Sequence, residues 1–161
     1  MKRYYVDGSC LANGKSENSG GHAIVEIEAN KVTDCWAFRE ENTTNNRQEL
    51  KAILWVLRNK GGTNFGETPI IYSDSAYCVN TLTDWIFSWA RKGWLKANRQ
   101  PPENLDLIKE FYNLFQQGYK MDLRKVKGHA GEIGNELADE LATGRITVEE
   151  VKEKYGKQET V

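Results

Sequence analysis

The chain has 161 residues, 39% of them hydrophobic and 28% charged, with a formal net charge of −1. This length and apolar content suit one globular domain with a real core rather than two. No apolar run approaches the roughly 20 residues of a membrane span, and the odd, widely spaced Cys10, Cys35 and Cys78 exclude a disulfide framework or a zinc knuckle. The chain start, Met1-Lys2-Arg3-Tyr4-Tyr5-Val6-Asp7, has no hydrophobic stretch behind its cations. It therefore predicts no signal peptide, and with reduced thiols it predicts a cytoplasmic protein. A net charge near zero weighs weakly against a nucleic-acid partner. Local distribution weighs more, and residues 85–100 carry Arg91, Lys92, Lys96 and Arg99 with no acid among them.

Residues 3–6 form a short β-branched and aromatic run that predicts a strand ending at Asp7-Gly8-Ser9. Residues 23–28 and 31–38 flank Ala29-Asn30 in a hairpin pattern, so the first three strands are expected to make an antiparallel meander. Leu50, Ile53, Leu54 and Leu57 repeat with helical spacing, capped by Asn45 or Asn46 and stopped by Gly61-Gly62. Residues 69–74 read as a buried fourth strand, 75–82 as a second helix and 84–90 as a third. Residues 91–102 are basic and end in two prolines, an exposed excursion. Asn104 then opens a helix with Leu105, Ile108, Tyr112 and Phe115 inward. A fifth strand over 121–126 and a loop over 127–131 follow, and Asn135 caps a helix carrying Leu137, Ala138 and Leu141. After Gly144 the chain is charged, with capping-box spacing at Thr147 and Glu150. Residues 145–161 are an appended helix or a frayed tail, to which no chemistry is assigned. A meander followed by alternating helices and strands implies an α/β domain, a mixed sheet with helices on its faces.

Two aspartates share one arrangement. Asp7 and Asp74 each end an apolar strand and precede a small polar residue. Strand ends near a switch in strand order form the usual ligand crevice of an open sheet. Carboxylates placed there side by side repel one another unless a cation joins them, and oxygen ligands suit Mg²⁺ or Mn²⁺. Taken singly, either residue could be a turn or helix-cap aspartate. Glu49 lies on the inward stripe of its helix, four residues before Ile53, although its spacing from Asn46 also fits a capping box. Asp139 has no local distinction from Glu136 and Glu140, and an acid early in a helix is already accounted for by the macrodipole.

In five blocks the sequence resembles the ribonuclease H family, type 1. They are Tyr5-Val6-Asp7-Gly8-Ser9-Cys10; Thr43-Thr44-Asn45-Asn46-Arg47-Gln48-Glu49-Leu50; Tyr72-Ser73-Asp74-Ser75; Val126-Lys127-Gly128-His129-Ala130-Gly131; and Asn135-Glu136-Leu137-Ala138-Asp139-Glu140-Leu141-Ala142. They occur in the family's order and spacing, from Arg3 to about Gly144. The resemblance implies a catalytic domain over 1–144, without a preceding hybrid-binding module. It implies a five-stranded mixed sheet in the order 3-2-1-4-5 with helices on both faces, and Asp139 as the fourth carboxylate. Residues 85–102 resemble the family's basic handle. The family's activity would be metal-dependent hydrolysis of the RNA strand of an RNA·DNA hybrid, leaving 5′-phosphate and 3′-hydroxyl ends. Ala76 after Ser75 and the polar stretch 15–19 depart from the pattern; both bear on substrate affinity rather than on chemistry.

On this resemblance Asp7, Glu49, Asp74 and Asp139 would bind two Mg²⁺ ions about 3.5–4 Å apart. One would sit between Asp7 and Asp139, the other among Asp7, Glu49 and Asp74, with Mn²⁺ as a possible substitute. His129, in its Gly-rich loop, would shuttle a proton or help release product, although alone it would read as a surface histidine. His22, early in a strand, is expected to be structural. Asn13, Asn45, Asn46 and the Cys10 backbone would follow the minor groove, where the 2′-OH marks RNA, and Thr44 would help seat a DNA phosphate. On the handle Trp85, Trp89 and Trp94 alternate with Arg91, Lys92 and Lys96, a pattern for sequence-independent strand contacts. Trp85 and Trp89, four apart, also fit the core face of one helix. The expected partner is the hybrid duplex, with no membrane and no obligate protein partner; a monomer is the default. An integrase- or transposase-like DNA nuclease of similar fold is a first alternative, opposed by the Thr43–Asn46 block and the handle. A hybrid-binding module without catalysis is the second, opposed by the presence of all four carboxylates and His129.

Overall fold

A computed structural model describes residues 1–11, 19–61, 66–126 and 132–156. Five strands, β1 (Lys2–Leu11), β2 (Ser19–Glu28), β3 (Lys31–Glu41), β4 (Ile70–Ser73) and β5 (Asp122–Lys125), form one sheet in the order β3-β2-β1-β4-β5. The β3-β2-β1 half is antiparallel, and β1-β4-β5 is parallel. Central strand β1 is therefore the seam between the two halves. Ala29 and Asn30, both with positive φ, turn the β2–β3 hairpin, the backbone a two-residue connection requires.

Helices cover both faces, as the resemblance implied. Along β1 the side chains alternate: Tyr4 and Val6 enter one core, and Tyr5 enters the other. The first core takes helix α1 (Asn45–Lys60), whose Leu50, Ile53 and Leu57 are fully buried, together with α4 (Leu105–Gln116). Each such side chain contributes about 1.5–3 kcal/mol by leaving water. The second core takes α5 (Ile133–Thr143) and α6 (Val148–Gly156).

Several boundaries differ from the sequence expectation. Strand β1 does not end before Asp7 but continues to Leu11, pairing antiparallel with β2 as far as Ser19. Gly8 and Ser9 resemble a turn in composition, yet the chain stays paired with β2 through Gly8↔His22 to Leu11↔Ser19. What stops near Asp7 is the neighbour: the β1–β4 pairing runs only from Arg3↔Ile70 to Tyr5↔Tyr72. The cap of α1 is Thr44, whose hydroxyl accepts the Arg47 amide at 3.1 Å, rather than Asn45 or Asn46. The second and third predicted helices are continuous. Helix α2 (Ala76–Asn80) passes through a π-helical turn, Thr81–Trp85, into α3 (Ile86–Arg91). On α4 the fully buried stripe is Leu107, Ile108 and Phe111 instead of Leu105, with Tyr112 and Phe115 packed beside it. Helix α5 starts at Ile133, so Asn135 lies inside it, buried, and does not cap it.

The segment after Gly144 includes an ordered helix. Thr147 and Glu150 exchange reciprocal hydrogen bonds, each 3.1 Å, that open α6, and Val151 is fully buried.

Candidate active site

The β1–β4 register carries the first two carboxylates together. Two residues beyond the final pair Tyr5↔Tyr72 lie Asp7 and Asp74, at the point where the parallel ladder has ended. Asp7 is buried, and Asp74 is exposed.

The third carboxylate arrives because one residue of β1 has no side chain. A Cβ on Gly8 would lie 2.1 Å from the Glu49 amide nitrogen and 2.4 Å from the Gln48 carbonyl carbon. Glycine thus lets the first turn of α1 rest directly on the strand. Glu49 is buried there, and both its oxygens are held. The Gly8 amide donates to Oε2 at 2.6 Å, and the Ser73 hydroxyl donates to Oε1 at 2.6 Å. The capping-box expectation for Glu49 fails: Thr44 caps the helix, and Glu49 turns into the sheet. One oxygen from each of Asp7, Glu49 and Asp74 lies within 4.8 Å of the others.

Asp139 comes from the opposite face. Helix α5 approaches the sheet through Gly134, where a Cβ would meet the Tyr5 ring at 2.3 Å. Arg39 Nη1 donates to the Ala142 carbonyl at 2.7 Å and secures the other end of the helix. Asp139, in the second half of α5 rather than its first turns, lines the same depression as Asp7, Glu49, Asp74, Asn45, Asn46 and Ser75.

The electrostatics follow from this crowding. Burial, then the charges of Glu49, Asp74 and Asp139, push the Asp7 carboxyl far above the ordinary range. Burial also raises Glu49, opposed by the hydrogen bonds from Ser73 and Gly8 that favour its anion. A set of hard oxygen donors that resists ionising together fits a divalent cation of the Mg²⁺ or Mn²⁺ type, whose charge would remove the repulsion.

The other candidate residues divide. Asn45 and Asn46 line the depression, and Thr44 adjoins them at the helix cap. Cys10 is buried, its thiol donating to the Thr43 carbonyl at 3.3 Å. Trp85, Arg91, Lys92 and Lys96 do not line this depression; they lie at the end of the π turn, on α3 and just beyond. Trp85 is 39% exposed and packs edge-on to Tyr77 and against Trp89, so both sequence readings of it describe part of its surroundings. Trp89 and Trp94 pack against the core. Arg91 and Lys92 are exposed, and neither joins a salt bridge among the described residues. Asn13 and His129 lie outside the described residues. His22 is structural: buried, it hydrogen-bonds Gln48 Oε1 at 2.7 Å and stacks on Phe38. Residues that the sequence reading left without a role are Gly8, Ser73 and Gly134. A glycine and a serine directly beside the two aspartates were the available signal for the first two; nothing local distinguished Gly134.

Comparison with known proteins agrees with the fold. The RNase H family model matches residues 2–147. A Ribonuclease H from Thermoanaerobacter sp. (strain X514) is 38% identical over 146 residues, covering 88% of this chain and 87% of that protein. The crystal structure of a type 1 RNase H with the type 2 active-site motif superposes with a TM-score of 0.73 at 32% identity, covering 89% of this chain and 70% of the other. The foamy viral protease-reverse transcriptase in complex with RNA/DNA hybrid shares the fold, at a TM-score of 0.77 and 19% identity, over 89% of this chain and 19% of that one. A mixed five-stranded sheet with an acidic cluster at its parallel–antiparallel seam defines the class, and the chain belongs to the RNase H family.

Proposed function

We propose that this ribonuclease H hydrolyses the RNA strand of RNA·DNA hybrids endonucleolytically, with Asp7, Glu49, Asp74 and Asp139 holding two Mg²⁺ ions. The observation that carries the reading is the convergence of Asp7, Glu49 and Asp74 oxygens within 4.8 Å, with Asp139 lining the same depression. When bound, divalent ions in such a site supply a nucleophilic water at neutral pH and neutralise charge on the leaving oxygen.

The protein's part is to hold ligands in place. Ser73 and the Gly8 amide fix both oxygens of Glu49, so its orientation does not depend on the ion. Asn45 and Asn46, beside the carboxylates, offer donors and acceptors to the 2′-OH that distinguishes RNA from DNA. The Cys10 backbone, with Asn13, extends this contact along the groove, and Thr44 helps seat a DNA phosphate. Trp85, Arg91, Lys92 and Lys96 hold the duplex at a distance from the cut through phosphate and sugar contacts. His129 shuttles a proton or helps release product. The enzyme acts as a cytoplasmic monomer, with Mn²⁺ able to replace Mg²⁺.

The test is cleavage of an end-labelled RNA·DNA hybrid beside RNA·RNA and DNA·DNA duplexes, with Mg²⁺ or EDTA, by the wild type and Asp7→Asn. Metal-dependent cutting of the hybrid's RNA alone, lost in the variant, is the expected result. Equal cutting of DNA·DNA would favour a DNA nuclease of the same fold, and hybrid binding without cutting under any metal would overturn the catalytic reading.

A further inference from the structure

Helix α5 ends in a Schellman turn. Gly144 takes the left-handed conformation at φ 80°, its amide donates to Leu141 O at 3.2 Å, and the Arg145 amide donates to Glu140 O at 2.9 Å. This turn folds the second residue past the helix back over its last turns, where an apolar pair commonly forms. Here the pair is ionic: Arg145 Nη1 lies 3.7 Å from Asp139 Oδ2.

The backbone on both sides of Arg145 is tied down. Before it, Arg39 holds the Ala142 carbonyl. After it, Ile146 packs into the second core, and the reciprocal Thr147–Glu150 bonds begin α6. A segment that carries no chemistry in the sequence reading thus fixes one cation beside a carboxylate of the site.

The pair itself adds little stability, because the two side chains are 70% and 50% exposed. Its effect on a third charge is larger. A guanidinium 3.7 Å from a ligand oxygen competes with a metal for that oxygen's charge and repels the metal over a short distance.

We propose that Arg145 is a positioning residue that competes with the divalent cation for Asp139 and so lowers metal affinity at the Asp139 side of the site. The inference rests on the reading of Asp139 as a ligand. It also makes the two metal positions unequal: the one shared by Asp7, Glu49 and Asp74 fills first, and the one that needs Asp139 fills at higher concentration.

The experiment is Mn²⁺ binding to the full chain without substrate, followed by the paramagnetic resonance of free Mn²⁺, for wild type, Arg145→Ala, Arg145→Lys and Asp139→Asn. Arg145→Ala should tighten the weaker binding class by about threefold to tenfold, the size of one screened charge a few ångströms away. Arg145→Lys, which keeps the charge, should stay within about twofold of wild type. Asp139→Asn should weaken or abolish that class. If Asp139→Asn weakens binding but Arg145→Ala leaves it unchanged, the competition is absent and the proposal fails alone. If Asp139→Asn changes nothing, the ligand reading fails and the proposal with it. A lowered melting temperature of Arg145→Ala in EDTA with unaltered Mn²⁺ binding would assign the pair to the helix end only, and would overturn the proposal.

Discussion

The Ser73 hydroxyl donates to Glu49 Oε1 at 2.6 Å, joining the end of β4 to the first turn of α1 inside the acidic site. The same Ser73 oxygen accepts the Ser75 amide at 3.1 Å, so it also shapes the turn that presents Asp74. One hydroxyl therefore sets the relation between two carboxylates. Ser73→Ala should leave Glu49 half-held and cost about 1.5–3 kcal/mol of stability, the range for a buried hydrogen bond to a charged group. Hybrid cleavage should fall by about tenfold or more and recover partly at high Mg²⁺. Urea unfolding and a Mg²⁺ titration of kcat check the two parts; unchanged kcat would remove Ser73 from the positioning of Glu49.

At Gly8 the expected effect is larger. A methyl group there would overlap the α1 backbone, which has no flexible end to move aside. Gly8→Ala should destabilise the fold by about 3 kcal/mol or more, at the upper end of overpacking costs. Where it still folds, its metal affinity should fall, because α1 carries Glu49. Denaturant unfolding with Mn²⁺ titration measures both.

The raised carboxyls make stability depend on pH in a defined direction. Asp7 and Glu49 have folded pKa values above their ordinary ones, so above the usual carboxylate range the folded chain retains protons that the unfolded chain has released. The folded state then binds more protons, and its stability falls as pH rises. In EDTA, this site should destabilise the protein at pH 8 relative to pH 5, and Mg²⁺ should reduce the difference. Asp7→Asn removes a carboxyl that in the metal-free fold must either repel its neighbours or keep a proton far above its ordinary range. It should stabilise the metal-free protein at pH 8 by about 1–3 kcal/mol while abolishing cleavage. A variant less stable than wild type under those conditions would contradict the assigned repulsion.

Handle cations should act on affinity and not on chemistry. Arg91→Ala with Lys92→Ala should weaken hybrid binding and reduce the slope of log K against log salt by about one for each phosphate left without its cation. Single-turnover cleavage at saturation should stay near wild type. An unchanged salt slope would separate these two residues from the substrate.

Much of this architecture was legible in the chain. The apolar run of β1, the hairpin pattern of β2 and β3 and the helical repeat of Leu50, Ile53 and Leu57 marked the strands and the helix that build the first core. The position of Glu49 on that stripe placed it toward the sheet, against the competing cap explanation. Other features depend on contacts between distant residues. Asp7 is a mid-strand residue because β2 continues beside it, which the polar run Gly8-Ser9 conceals. Thr44 won the cap from Asn45 and Asn46 because the chain enters α1 extended at Thr44. Asp139 could be chosen from its acidic neighbours only through resemblance to a family. Its local sequence says nothing of Gly134, Tyr5 and Arg39, which bring α5 to the site.

The seam at β1 also joins parts of the chain that lie far apart in sequence. The meander from β1 to β3 closes through nearby residues, whereas β4 and α5 return to β1 across long stretches of chain. Asp7, Glu49, Asp74 and Asp139 are each more than a score of residues from the next, so nothing local brings any two of them together. Their mutual repulsion is a property of the assembled sheet alone, and an unfolded chain carries the same four charges at little mutual cost.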